Sequence, residues 1–316
     1  MQRRYRAVWL VLVVAGLSLS LVGCAQVAKL KARKAFKEGN SLYTQQEYKR
    51  AAAKYEETIE NDPSFAAAYF FLGNSYDNLY KPSRKGDATN DAYMTKAVEF
   101  YKKSADLEKD PKIRKLALEY LVAAYGPDKL NDPAQAEPLV LRMIQLDPTE
   151  PGNYFALAKM YEDAGNYDQA EQTLLKAKEM RPNDPSVYLQ LAGYYNRQGE
   201  FDKTITALKD RAEREPNNPE AYYTISTYYW DKAYRDTKLK EPEKRQFIMD
   251  GLDAVNKALQ LKSDYMEALV YKNLLLRSQA LIEKDPAKQQ ALLKEADQLR
   301  DRAQELRKKK AAGVGD

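Results

Sequence analysis

The chain contains no histidine and only one cysteine in 316 residues. Each absence excludes chemistry. Without imidazole there is no Ser–His–Asp triad, no Cys–His pair, no His-ligated zinc and no histidine general base. A single cysteine excludes an internal disulfide and a CxxC metal site. The sequence also lacks a GxSxG elbow, a P-loop, a GxGxxG at a strand–helix junction and an HExxH. Its carboxylates fall mostly in Asp-Pro turns and on solvent faces, where they cap helices. No close pair of them suits glycoside hydrolysis. These gaps weigh against an enzyme and imply neither a cofactor nor a metal. Strong charge of one sign is missing as well. With 51 basic and 46 acidic residues the formal charge is +5, which is modest for this length, and no nucleic-acid partner is expected.

What is present begins with an address. Arg3, Arg4 and Arg6 form a basic stretch with no acid near it. A mostly apolar run follows over 7–22, broken by Gly16, Ser18 and Ser20. It is shorter than the ~20 residues a spanning helix needs and fits a secretory signal. The run ends Leu21-Val22-Gly23-Cys24, which resembles the lipobox of bacterial lipoproteins. Small residues there let a peptidase close on the backbone, and an accessible thiol takes the lipid. The resemblance implies that 1–23 is a signal peptide and that Cys24 is the lipid attachment site. The other reading is an uncleaved signal anchor. Several acyl chains on one cysteine would hold the protein stably, since one alone is marginal. The protein would then be exported and anchored at the outer face of an inner membrane or the periplasmic face of an outer one. Ala25 in place of aspartate points to the outer membrane. Removal of the three arginines would bring the net charge close to neutral.

The rest of the chain repeats. Segments 151–184 and 185–218 are each 34 residues and align without a gap. Tyr154, Leu157, Ala158 and Tyr161 fall on Tyr188, Leu191, Ala192 and Tyr195. Tyr222, Ile225, Ser226 and Tyr229 continue the series, and Tyr69, Leu72, Gly73 and Tyr76 anticipate it. The spacing i, i+3, i+4, i+7 places each set on one helix face. A second helix in each unit carries a small residue and a large one four places later, as in Ala51 and Tyr55, Ala97 and Tyr101, Ala170 and Leu174. Turn signals such as Ala164-Gly165-Asn166 separate the helices, and Asp62-Pro63, Asp147-Pro148, Arg181-Pro182 and Glu215-Pro216 close the units.

This pattern resembles tetratricopeptide repeats, helix–turn–helix units of 34 residues. The resemblance implies an all-α superhelical solenoid of paired antiparallel helices. We read a short tether over 24–31 and an array of about six to seven units over 32–284. The units run 32–65, 66–111, 112–149, 150–184, 185–218 and 219–265, with a degenerate one from 266. Unit two carries an insert around Lys81-Pro82-Ser83-Arg84-Lys85-Gly86-Asp87, and unit six one over 231–246. Unit three lacks the usual aromatics. A C-terminal capping helix and tail occupy 285–316. There Leu292, Ala296, Leu299, Ala303 and Leu306 form a seam of about two heptads, open to packing on the last repeat or to dimerisation. The oligomeric state is left open.

In this family the remaining face of each first helix lines a concave groove. The candidate groove residues are Phe36 and Asn40, Phe70 and Asn74, Phe155 and Lys159, Leu189 and Asn196, and Tyr223, Thr227 and Trp230. They fit a groove for an extended peptide or an amphipathic helix, with aromatics as anchors. The alternative is that the Phe and Leu members pack adjacent repeats. Trp230 and the asparagines are the stronger groove candidates. Some relatives clamp a partner's C-terminal carboxylates with lysines, arginines and asparagines. Asn40 and Asn74 match the asparagine place, but Phe36 and Phe70 stand where the clamp has lysine, so that mode is not expected. The expected role is a protein- or peptide-binding scaffold or assembly factor of the cell envelope. The alternative is a dedicated subunit of an envelope machine, in type IV pilus or outer-membrane protein assembly, docking through the inserts.

Overall fold

The computed structural model describes residues 26–313, so the stretch read as a signal peptide and Cys24 lie outside the described residues. Fourteen helices follow one another, and no strand occurs among the described residues. They are α1 (26–44), α2 (Tyr48–Asn61), α3 (Ala66–Leu79), α4 (Ala88–Leu107), α5 (Pro111–Ala124), α6 (Pro133–Leu146) and α7 (Pro151–Asp163). Then come α8 (Tyr167–Met180), α9 (Pro185–Arg197), α10 (Phe201–Arg214), α11 (Pro219–Arg235), α12 (Glu241–Leu261), α13 (Met266–Ile282) and α14 (Pro286–Ala311). The chain divides into two compact units, one ending at Ala164 and the other starting at Gly165. Within each unit, successive helices pack in pairs, as the repeat pattern predicts.

The boundaries have local causes. Asp110, Asp184, Asn218 and Asp285 each accept a hydrogen bond from a backbone N–H of the helix they precede, and proline fills the first helical turn. A carboxylate or amide at the cap satisfies a donor that the helix leaves open, and proline there loses no bond.

Packing explains the rest of the pattern. The small–large pairs of the second helices, Ala51 and Tyr55, Ala97 and Tyr101, Ala170 and Leu174, are all buried. Gly73 faces Tyr101 so closely that a Cβ would come within 2.9 Å of its ring, and Gly39 faces Tyr55 with 2.7 Å. The tyrosines are amphipathic core, with ring inside and hydroxyl satisfied. Tyr76, Tyr161 and Tyr195 donate to Glu56, Glu137 and Glu171, one second helix back, at 2.6, 2.8 and 2.9 Å.

A clasp recurs at the joint between repeats. Tyr69, Tyr154, Tyr188 and Tyr222 donate to the carbonyl six residues earlier, on Pro63, Pro148, Pro182 and Pro216, at 3.2, 2.9, 2.7 and 3.4 Å. Unit three, which lacks the tyrosine, uses Arg114 instead. Its Nε and one terminal nitrogen reach the Glu108 carbonyl, again six residues back, at 3.0 and 2.5 Å.

Two expectations change. The segment read as a tether over 24–31 is helical from residue 26, because Ala32 and Ala35 already bury against the first pair. The unit-six insert is mostly helix, with 231–235 in α11 and 241–246 in α12, while the unit-two insert stays a connection followed by a lengthened α4. α4 has 20 residues and α12 has 21, leaving short connections. The connection before α4 is built around buried Asn90, whose amide nitrogen donates to the carbonyls of Lys81 and Arg84 at 3.1 Å each. The α14 seam, open to two readings in the sequence, packs on the last repeat. Ala296 and Ala303 are buried, and Leu292 and Leu299 pack with Leu275 and Leu276.

Candidate functional site

In the first unit the groove positions of α1 and α3 are occupied by the protein itself. Phe36 packs edge-on to Phe65 and Phe71, with centroids 4.7 and 5.8 Å away. Phe70 is 7% exposed and meets the edge of Tyr120 at 5.3 Å. Asn40 accepts from the Tyr55 hydroxyl at 2.9 Å. Asn74, 5% exposed, accepts from the Tyr43 hydroxyl and from the Asn78 amide. Asp77, one turn further, takes Lys129 at 2.6 Å and the Tyr101 hydroxyl at 3.2 Å.

The asparagines expected as free amides are therefore internal acceptors for tyrosine hydroxyls. A buried hydroxyl needs a partner, and that need takes them off the surface. Desolvation keeps these phenols neutral, raising the pKa of Tyr43, Tyr55 and Tyr101 above the ordinary value. Phe155 on α7 is half-buried, and Lys159 is exposed and paired with Asp163.

The second unit is different. Leu189 and Asn196 on α9 are exposed. Thr227 turns its hydroxyl to the Thr224 carbonyl. Tyr223 and Trp230 belong to a row of five rings shared by α11, α13 and the turn before α13. Tyr265 lies 5.2 Å from Tyr223, and Tyr223 meets Tyr271 edge-on at 5.4 Å. Tyr271 meets Trp230 edge-on at 5.5 Å, and Trp230 stacks on Tyr234 at 5.0 Å. Burial and then the neighbouring tyrosines push Tyr223 up to about 12.

The row ends in solvent: Tyr234 is 64% exposed, and Leu281 on α13 is 82% exposed. Beside its other end a cleft of about 500 Å³ lies between Tyr223, Val270 and Tyr271 on one side and Arg300, Gln304 and Arg307 of α14 on the other.

Tyr234, Tyr265, Tyr271 and the α14 arginines escape the sequence reading. Tyr234 sits four residues after Trp230, one turn on, and that spacing was a usable signal. The others had none, because α13 departs from the tyrosine pattern and α14 joins the cleft only through tertiary packing. Among the described residues no group of His, Cys, Asp or Glu is gathered to hold a metal, and nothing in the row or cleft points to catalysis.

Stacked helix pairs with a clasped joint and an aromatic inner row define a repeat scaffold of the helix–turn–helix kind. Models of the tetratricopeptide repeat match residues 36–79 and 129–193. Among solved structures, the C-terminal part of a TPR repeat-containing protein from Cytophaga hutchinsonii is 18% identical. The match covers 84% of this chain and 95% of that one with a TM-score of 0.55, and it shows a shared fold. A tetratricopeptide repeat protein from Parabacteroides merdae is 14% identical over 84% of this chain and 99% of that one, with a TM-score of 0.45. YrrB, described as a TPR protein with an unusual peptide-binding site, is 18% identical over 74% of this chain and 88% of that one, with a TM-score of 0.30. No curated protein matches the chain. The chain carries tetratricopeptide repeats and adopts their all-α fold.

Proposed function

We propose that the protein is a scaffold that holds a protein partner on the aromatic row of its second unit, at a bacterial membrane to which Cys24 ties it. The row carries this reading. Five rings in mutual contact, running out to exposed Tyr234, supply large rigid anchors at small entropic cost, which is what interface hot spots use. The partner is a peptide or helix whose apolar side chains sit between the rings. The first unit, with its inner face filled, contributes structure there rather than a second groove.

The membrane tie rests on Leu21-Val22-Gly23-Cys24 and the basic and apolar stretches before it. Exported scaffolds of this kind serve assembly at the envelope. A second reading, docking of a larger machine, is favoured by the connection at 81–89, which is exposed along its length yet held by Asn90.

A photoreactive residue at position 234, introduced into the chain in its native cell, tests the docking reading. Capture of one or a few partners, lost in Trp230→Ala, is expected; capture through position 84 but not 234 would move the site to the connection. Cys24→Ala should leave an uncleaved or released protein, and a cleaved variant that stays on membranes would refute lipidation.

A further inference from the structure

The first three turns of α1 carry a charge pattern that the fold does not use. Between residues 26 and 46 the chain has one acid, Glu38, and Lys54 takes it at 2.8 Å. Lys29, Lys31, Arg33, Lys34 and Lys37 lie in the same stretch, all exposed, and none makes a close ion pair or hydrogen bond among the described residues, Lys34 acting on Glu38 only through its charge. Five like charges on about three turns repel one another and cost stability unless something answers them.

The same stretch exposes apolar surface. Val27 is 53% exposed and Leu30 is 64% exposed. Residues 27, 30 and 34 share one face at helical spacing, opposite the stripe of Ala32, Ala35 and Gly39 that packs on α2. An apolar pair ringed by long cationic side chains is the composition of a helix that lies in a lipid interface, with lysine stems reaching up to headgroups.

Location adds the second argument. In the sequence α1 follows directly on the apolar run over 7–22 and Cys24. Whether the first stretch is read as a lipid-modified signal or as an uncleaved anchor, α1 begins at the bilayer surface. We infer that the outer face of α1, with Val27 and Leu30 dipping between the headgroups and Lys29, Lys31, Arg33, Lys34 and Lys37 above them, docks on anionic phospholipid. The face lays about 18 Å of helix on the membrane. It converts a flexible tie into a fixed attachment of the first repeat. The inference rests on the membrane reading of the first stretch and extends it from a point of attachment to an oriented surface. Each such cation near an anionic surface strengthens binding about fivefold.

The test uses the full chain reconstituted with vesicles of phosphatidylglycerol and phosphatidylcholine, or of phosphatidylcholine alone. A fluorophore is placed at Leu30→Cys, with Leu281→Cys as a control in the second unit. Intact mass shows whether Cys24 is acylated, and where it is free the label goes into a Cys24→Ser background. Quenching at residue 30 by lipids spin-labelled near the headgroup should be at least fivefold stronger in the anionic vesicles. It should fall to the phosphatidylcholine level when the five cations are changed to Gln, while residue 281 stays unquenched.

Equal quenching in both vesicles, or no effect of removing the charges, would overturn the inference while leaving the anchor intact. So would an unquenched label on a chain that floats with vesicles. A chain acylated at Cys24 that floats with neither vesicle would sink the membrane reading and the inference together, and a Cys24→Ser chain that floats with neither would overturn the inference alone. Shielding of residue 30 that grows with protein concentration in the absence of lipid would assign the face to a second copy and overturn it.

Discussion

Trp230 lies flat on Tyr234, with ring centroids 5.0 Å apart and planes 10° from parallel. Tyr234 lies one turn beyond Trp230 on α11, in the stretch that makes this helix longer than α9, with 17 residues against 13. The extra turn adds little to the core, since Tyr234 stays mostly in water. It lengthens the row of rings beyond what a 34-residue repeat would present.

Tyr234→Ala separates binding from folding. The side chain is exposed, so the melting temperature should stay within the small range of surface substitutions, about ±0.5 kcal/mol in stability. Partner affinity should fall by about 2 kcal/mol or more, some thirtyfold, if the ring is an anchor. Trp230→Ala should lose binding and also some stability. Titration calorimetry with a captured partner and thermal melts read the two effects, and unchanged affinity in both variants would remove the row from the site.

The glycines make opposite predictions. At Gly73 an added methyl meets the Tyr101 ring at 2.9 Å and the Ala97 carbonyl at 3.1 Å, so Gly73→Ala should cost about 1–3 kcal/mol by overpacking. At Gly193 the nearest atom is a terminal nitrogen of Arg197 at 3.3 Å, the far end of a flexible side chain. Gly193→Ala should therefore stabilise α9 by about 0.5–1 kcal/mol through helix propensity. Urea unfolding of both variants checks the pair, and a destabilised Gly193→Ala would contradict the packing described.

Asp77, one turn beyond Asn74 on α3, holds Lys129 across 52 residues of sequence at 2.6 Å. Asp77→Asn leaves the lysine without its counter-charge and weakens the acceptor for Tyr101. A loss of about 1–3 kcal/mol is expected, below that of a fully buried pair because Lys129 is partly in water. The Lys129→Met variant should lose less than Asp77→Asn. The reverse order would mean that the pair, and not the tyrosine network, dominates.

Alkaline conditions should unfold the protein by a definite route. Burial, the largest cause, raises the pKa of Tyr55, Tyr101, Tyr195 and Tyr223, while tyrosine in the unfolded chain ionises near 10. Above that pH the unfolded chain releases protons that the folded one keeps, so stability falls as pH rises from 10 through the folded values. Below pH 10 these groups add no slope, and no imidazole titrates near neutrality. Melts should be flat from pH 6 to 9 and decline beyond 10, together with the ultraviolet signal of phenolate. A stability step near pH 6.5 would contradict this.

Much of the fold was legible because the repeat writes it several times. Tyr188 and Leu191 announce their helix, and Asp184-Pro185 announces where it starts. The fate of the inner face was not legible. Asn40 and Asn74 occupy a groove register, but whether that register opens to solvent depends on which hydroxyls lie across from it. Tyr43 and Tyr55 come from other helices, and local periodicity does not pair them. The inserts misled for a related reason. Residues outside a 34-residue frame look like loops, whereas Ala88 and Arg235 are helical and simply prolong α4 and α11.

The tyrosine clasp has a consequence for how this architecture tolerates change. It ties α3, α7, α9 and α11 to the carbonyl at the joint with the preceding repeat, while the extra residues of units two and six enter at the opposite ends of the helix pairs. Length can therefore vary at one rim without disturbing the hinge that sets the next repeat. Arg114, standing where a tyrosine is expected, shows that the joint is kept even when the residue is not. Within a repeat, the end between its two helices is free to diversify, and the joint keeps the count.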